Sequence, residues 1–153
     1  MGDIGYKTAQ LFDWATVTTG YRIQWATGAI YADTSAIMSD FIPVQQTTYT
    51  NNTQAIILGY DDNKDYIGTY QQNGDFVKQI GEKVATFTIS ELNCKYIKLL
   101  SYDTYQITPL SSSTMLNIGS QPMPWQPYSS TGWVHSLKKF DGAAWQNATV
   151  HEF

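Results

Sequence analysis

The residues of this chain that could do chemistry are few, and their spacing decides what they can do. Asp61-x-Asn63-x-Asp65 has the alternating oxygen spacing of the first half of a calcium loop. The sixth position of such a loop would be Tyr66 where glycine is needed, and the twelfth Gln72 where a bidentate glutamate is needed. The same residues suit a β-turn in which Asp and Asn cap their own backbone, and that is the expectation here. His135 and His151 are the two histidines, and no third ligand accompanies them, so no metal site is expected. Glu82, Glu91 and Glu152 stand apart, and Asp61, Asp62 and Asp65 crowd one turn. A glycosidase needs two carboxyls facing across a cleft, and hydrolysis by a nucleophile needs a base beside it. Neither arrangement is visible, so the chain reads as no enzyme and as needing no cofactor.

Aromatic side chains are the richer resource: 11 Tyr, 5 Trp and 6 Phe in 153 residues. Recognition of a sugar takes a flat ring against its apolar face, with amide or carboxylate groups for its hydroxyls. Trp25, Tyr31, Tyr70 and Trp125 are the candidates, with Asn73 and Asp75 close in sequence to Tyr70. The lone Cys94 forbids an internal disulfide and reads as a small buried hydrophobe. Charged residues make up 14%, well under the roughly 25% usual in soluble domains. Thr, Ser, Gln and Asn must therefore supply the polar surface, as on strands, turns and faces packed against neighbours. The net charge is −4 and the basic residues are scattered, so no nucleic-acid partner is expected. The longest apolar run, Ala55–Gly59, is far too short to span a membrane. The N-terminus shows no signal-peptide pattern, so synthesis in a cytoplasm is expected.

The elements that must position these residues are short strands between turn signals. No window of ten residues keeps a helical period. Tyr21–Trp25 alternates and turns at Thr27-Gly28 toward a partner in Ala29–Ala32. Ser39–Val44 reads as a strand that Pro43 places at an edge or an end. Gln45–Thr50 is rich in β-formers, and Gln71–Gly74 reads as a loop. Gln54–Tyr60 puts Ile56, Leu58 and Tyr60 on one face and returns through the Asp61–Lys64 turn as Asp65–Tyr70. Val84–Ile89 sets Ala85, Phe87 and Ile89 against Thr86, Thr88 and Ser90. Tyr96–Tyr102 opposes Ile97 and Leu99 to Lys98 and Tyr102, and Ser113–Ile118 is a last body strand.

Gln121–Tyr128 holds three of the five prolines and marks a boundary. Residues 1–128 are thus expected to form the body, and 129–153 a linker and a C-terminal hairpin, Trp133–Phe140 with Ala144–Phe153, around Asp141-Gly142. Trp133, Leu137, Phe140, Trp145, Val150 and Phe153 give that hairpin more apolar surface than two strands can hide. They are the expected assembly interface, on another copy or another protein.

The order of Leu11-Phe12-Asp13, Ser39-Asp40-Phe41-Ile42-Pro43-Val44, Gly59-Tyr60-Asp61-Asp62-Asn63-Lys64-Asp65-Tyr66-Ile67, Lys95-Tyr96-Ile97-Lys98-Leu99 and Met115-Leu116-Asn117-Ile118-Gly119-Ser120, closing on Trp125-Gln126-Pro127-Tyr128, resembles a module common in bacteriophage tail and baseplate proteins. That family usually closes on Met-Leu-Asn-Glu-Gly-Ser, and here Ile118 stands in place of the acidic residue. Lys138–Trp145 is similar to short hairpins ending many phage structural proteins. The resemblance implies an all-β, jelly-roll-like antiparallel β-sandwich, akin to carbohydrate-binding modules, with a C-terminal β-hairpin appendage. It further implies a virion protein of the tail tip, fibre or head surface, made in the host cytoplasm. Its partners would be other virion proteins, further copies of itself (a trimer above all) and host cell-wall polysaccharide. A carbohydrate-binding module acting free, or attached to a cell-wall enzyme, is the alternative. The resemblance carries over no catalytic residue.

Overall fold

A computed structural model describes residues 4–103, 108–141 and 144–152, and for 4–6 and 133–152 it describes the backbone alone. The chain is an antiparallel β-sandwich. Its strands are β1 (Ile4–Lys7), β2 (Thr18–Ile23), β3 (Ile30–Met38), β4 (Ile42–Pro43), β5 (Thr48–Asn51), β6 (Ile56–Tyr60), β7 (Tyr66–Tyr70), β8 (Phe76–Val77), β9 (Thr86–Thr88), β10 (Tyr96–Ser101), β11 (Leu116–Ile118), β12 (Trp133–Asp141) and β13 (Ala144–Glu152). A single 3₁₀ turn, Trp14–Thr16, precedes β2. The long sheet runs β2-β3-β10-β6-β7-β8, with β4 also on β10, and the short sheet runs β11-β5-β9. No helix among the described residues is long and apolar enough to cross a membrane.

Alternation along the strands builds the core between the sheets. Tyr49, Phe87 and Leu116 from the short sheet meet Ile57, Tyr70, Ile97 and Leu99 from the long one. Phe87 and Ile89 are buried while Thr86 and Thr88 are exposed, as their period of two requires. The long sheet is also covered on its outer face. There Ile56, Leu58, Tyr60, Tyr66, Leu100 and Tyr102 form a second apolar layer with Ile23, Ala36 and Met38. Strand β6 is consequently buried at every position. Alternation marks one apolar face of such a strand well, but it does not reveal that the other face is covered too.

The cover on the outer face includes the β2–β3 loop. Gly28, at φ +76°, lies so close to β7 that a Cβ built on it would stand 2.5 Å from the Cβ of Tyr66. Positive φ disfavours any other residue, and a contact at the root of a side chain cannot be relieved by a rotamer change. Gly28→Ala is therefore expected to lower stability by about 2–4 kcal/mol in urea unfolding. A loss under 0.5 kcal/mol would show that the loop lifts off the sheet freely.

Two expectations are corrected in detail. Ser39–Val44 is not one strand: β3 ends at Met38 and β4 holds only Ile42 and Pro43. Between them the Ser39 hydroxyl accepts a hydrogen bond from the Leu99 N–H (2.8 Å), doing what a ladder carbonyl would do. The chain jogs there and sets Phe41 edge-on against Tyr60 and Tyr96, with centroids 4.9 and 6.0 Å away. The C-terminal hairpin forms as expected, but a third strand that the sequence reading left out joins it. β12 pairs β13 from Val134↔Glu152 to Asp141↔Ala144, and its other edge pairs β1 from Ile4↔Ser136 to Lys7↔Trp133. The first strand thus belongs to the C-terminal sheet and not to the sandwich sheets.

Candidate functional site

An apolar opening lies where the N-terminal segment, the β11 approach and the proline-rich stretch converge. Gln10 brings them together. It is 4% exposed, and its side chain makes four hydrogen bonds. Nε2 donates to the carbonyls of Thr114 (2.8 Å) and Gln126 (3.2 Å), while Oε1 accepts from the N–H groups of Phe12 (3.1 Å) and Leu116 (3.0 Å). Gln126 answers from the other side, its Oε1 accepting the Ala9 N–H at 2.8 Å. The Thr8 hydroxyl donates to the Pro127 carbonyl at 2.8 Å. Prolines deprive residues 121–128 of ladder hydrogen bonds, so side chains hold that stretch in place. Asn117 does the same one loop earlier, donating to the carbonyls of Ile118 and Gln121 and accepting from the Met123 N–H.

The result is a groove of about 310 Å³ with an exposed tryptophan on each of two separate segments: Trp14, 39% exposed, and Trp125, 52% exposed. Trp14 opens the 3₁₀ turn that Asp13 caps, with Asp13 Oδ1 accepting the Ala15 N–H at 3.1 Å. Phe12 backs Trp14, their ring centroids 6.4 Å apart. Asp13 and Ser112 add polar groups, Thr114 is fully buried with its hydroxyl accepting the Ser111 N–H, and Pro127 and Tyr128 complete the lining. A smaller cavity of about 100 Å³ adjoins it. Asp13 and Tyr128 line both, and Ser39, Asp40 and Phe41 line the smaller one. Open aromatic faces flanked by a carboxylate and hydroxyls can hold a polyhydroxylated ring by apolar contact and hydrogen bonding. No base is paired with a nucleophile there.

Of the four aromatics picked from the sequence, only Trp125 lines this groove. Trp25 and Tyr31 lie together elsewhere, over the guanidinium of Arg22, whose carbon stands 5.5 and 5.1 Å from their ring centroids and 3.9 Å from that of Tyr102. Asp33 closes this group with an ion pair to Arg22 at 3.6 Å. The hydrogen bonds from Ser35, aided by Arg22, hold the Asp33 carboxyl below the usual carboxylate range. Tyr70 is 2% exposed and packs against Phe76 and Phe87, so it offers no open ring face, although Asn73 lines the same cavity. Its hydroxyl sits by the buried Cys94, and burial raises the pKa values of both groups.

Asp61-x-Asn63-x-Asp65 forms the expected turn, Asp61 Oδ1 accepting from the N–H groups of Asn63 (2.9 Å) and Asp65 (3.0 Å). Among the described residues, no three of His, Cys, Asp and Glu gather in a way that could hold a metal ion. His135 and His151 face each other in register across β12 and β13. Trp133, Leu137, Phe140, Trp145 and Val150 lie on those two strands, where only backbone is described, and Phe153 lies outside the described residues.

Trp14 and Gln10 escaped the sequence reading. Asp13-Trp14 carried one usable signal, a capping residue directly before an aromatic outside any alternating run. Gln10 carried none. Comparison of the chain with family models, curated proteins and solved structures gives no match.

Proposed function

We propose that this chain is a non-catalytic glycan-binding sandwich that serves as a structural and adhesion module of a bacteriophage virion. The observation that carries the glycan half is the groove between Trp14 and Trp125, two exposed indoles with Asp13 and Ser112 beside them. Two indoles exposed on one groove make an apolar patch larger than a single exposed side chain, and a saccharide suits a surface part ring and part hydroxyl. The virion half draws on the resemblance in residue order and on the 14% charged composition, which suits a subunit held among neighbours. The sheet β1-β12-β13 is the element offered for attachment to other virion proteins or further copies, with a trimer the expected assembly.

The test is retention on purified host cell-wall polysaccharide, followed by an assay for released reducing ends. Saturable retention with no release is expected. Absence of retention on wall polysaccharide and on a glycan array would sink the glycan half, and release of reducing ends would overturn the non-catalytic reading. The virion half is checked by mass spectrometry of purified particles, where absence of the chain would leave the alternative of a module attached to a cell-wall enzyme.

A further inference from the structure

The chain carries 13 acidic and 9 basic residues, yet its outer face gathers cations over rings. Lys98 Nζ stands 4.2 Å from the ring centroid of Phe41 and 5.7 Å from that of Tyr60. Lys64 Nζ stands 5.1 Å from the same Phe41 ring and 5.3 Å from that of Tyr96. The described residues place no carboxylate within ion-pair distance of either ammonium; their ion pairing is confined to Arg22 and Asp33. Asp40, which interacts electrostatically with Lys98, uses Oδ1 to accept the Phe41 N–H at 2.8 Å, and Lys64 itself stands in the turn with Asp61, Asp62 and Asp65.

Two like charges over one ring repel each other, and the ring's negative face only partly offsets this. Burial and the neighbouring Lys64 both act to lower the Lys98 pKa, with Asp40 acting the other way. Two ammoniums gathered around one ring make a cationic locus that suits an anionic oxygen group. Its position gives it a further meaning. Phe41 lines the small cavity that shares Asp13 and Tyr128 with the tryptophan groove. The residue whose ring carries the two lysines therefore lines a cavity that shares two walls with the tryptophan groove.

We propose that Lys64 and Lys98 form a subsite for an anionic group, a phosphate or a carboxylate, on the saccharide polymer whose sugars occupy the tryptophan groove. The inference rests on the glycan reading and narrows it to acidic glycans. The experiment follows the side-chain Cε–H resonances of the lysines by NMR in the whole chain. Inorganic phosphate, glucose 1-phosphate and trigalacturonate are titrated at low salt, with maltotriose as the neutral probe. The anionic probes are expected to shift Lys64 and Lys98 together, and added salt to suppress the effect. The double variant Lys64→Gln/Lys98→Met, which keeps an apolar stem over Phe41, is expected to lose about tenfold or more in affinity for the anions. Comparison of the glucose 1-phosphate and trigalacturonate arms tells phosphate from carboxylate.

Anions that shift neither lysine, or that bind the double variant equally well, would overturn the inference. Maltotriose moving both lysines as strongly as the anions do would also overturn it. A failure of the glycan reading appears on other residues. If inorganic phosphate reports on the lysines while no saccharide perturbs Trp14 or Trp125, the pair is a plain anion site and the glycan subsite is refuted with the reading it rests on.

Discussion

Replacing Trp14 and Trp125 together by alanine is expected to weaken binding to the cell-wall glycan by about two to three orders of magnitude. Fully engaged tryptophans at binding surfaces are worth about 2 kcal/mol or more each, or roughly thirtyfold per residue. The two rings come from segments more than a hundred residues apart, so each truncation removes a separate wall of the groove. Both are substantially exposed. The variants should therefore fold normally, with stability changed by about 0.5 kcal/mol or less per site. Isothermal titration against the wall polysaccharide measures the affinity, and a thermal melt controls for folding. A double variant that binds within about threefold of the parent would mean the groove is not where the glycan sits.

The largest effect on stability from a single polar side chain is expected at Gln10. Gln10→Leu keeps the bulk but removes two donors and two acceptors at a 4% exposed position. The carbonyls of Thr114 and Gln126 and the N–H groups of Phe12 and Leu116 would lose their side-chain partner. Each buried group left unsatisfied costs about 1–3 kcal/mol. Some of these groups can reach water or another donor, so a net loss of about 3–5 kcal/mol is expected from urea unfolding. Because Gln10 joins the walls of the groove, glycan affinity should also fall, although Gln10 itself is almost fully buried. A loss under about 1 kcal/mol would show that the contacts of Gln126 and Thr8 hold the walls without Gln10.

The fold was legible wherever one face of a strand is buried and the other wet. Within Val84–Ile89 the alternation over Thr86–Thr88 read directly, because alternation is a local property that survives without knowledge of the partner strand. Tyr96–Tyr102 showed its Ile97 and Leu99 face, but not that Leu100 and Tyr102 are buried on the other. The hairpins also read well: Ile23 pairs Ile30 around the Thr27-Gly28 turn, and Asp141 pairs Ala144. Local pattern failed where a single side chain redirects the backbone, as Ser39 does when it takes a ladder position and throws Phe41 outward. It failed again for Ile4–Lys7, whose partner strand lies far along the chain.

The candidate site was half legible for the same reason. Trp125 was one of four aromatics that the sequence offered without distinction, and its flanking prolines keep it out of a regular strand. Trp14 meets it only through Gln10, Thr8 and Gln126, whose partners are set by tertiary structure and leave no periodic trace. Tyr70, next to a polar loop in sequence, closes a central strand whose burial comes from Phe76 and Phe87.

The most direct measurement is to follow the five tryptophan indole N–H signals by NMR while oligosaccharides from the host cell wall are added. The signals of Trp14 and Trp125 should shift together in one saturating transition, with Trp25, which packs with Arg22 and does not line the groove, unmoved. Binding that shifts Trp25, Trp133 or Trp145 and leaves Trp14 and Trp125 where they were would contradict the groove as the glycan site.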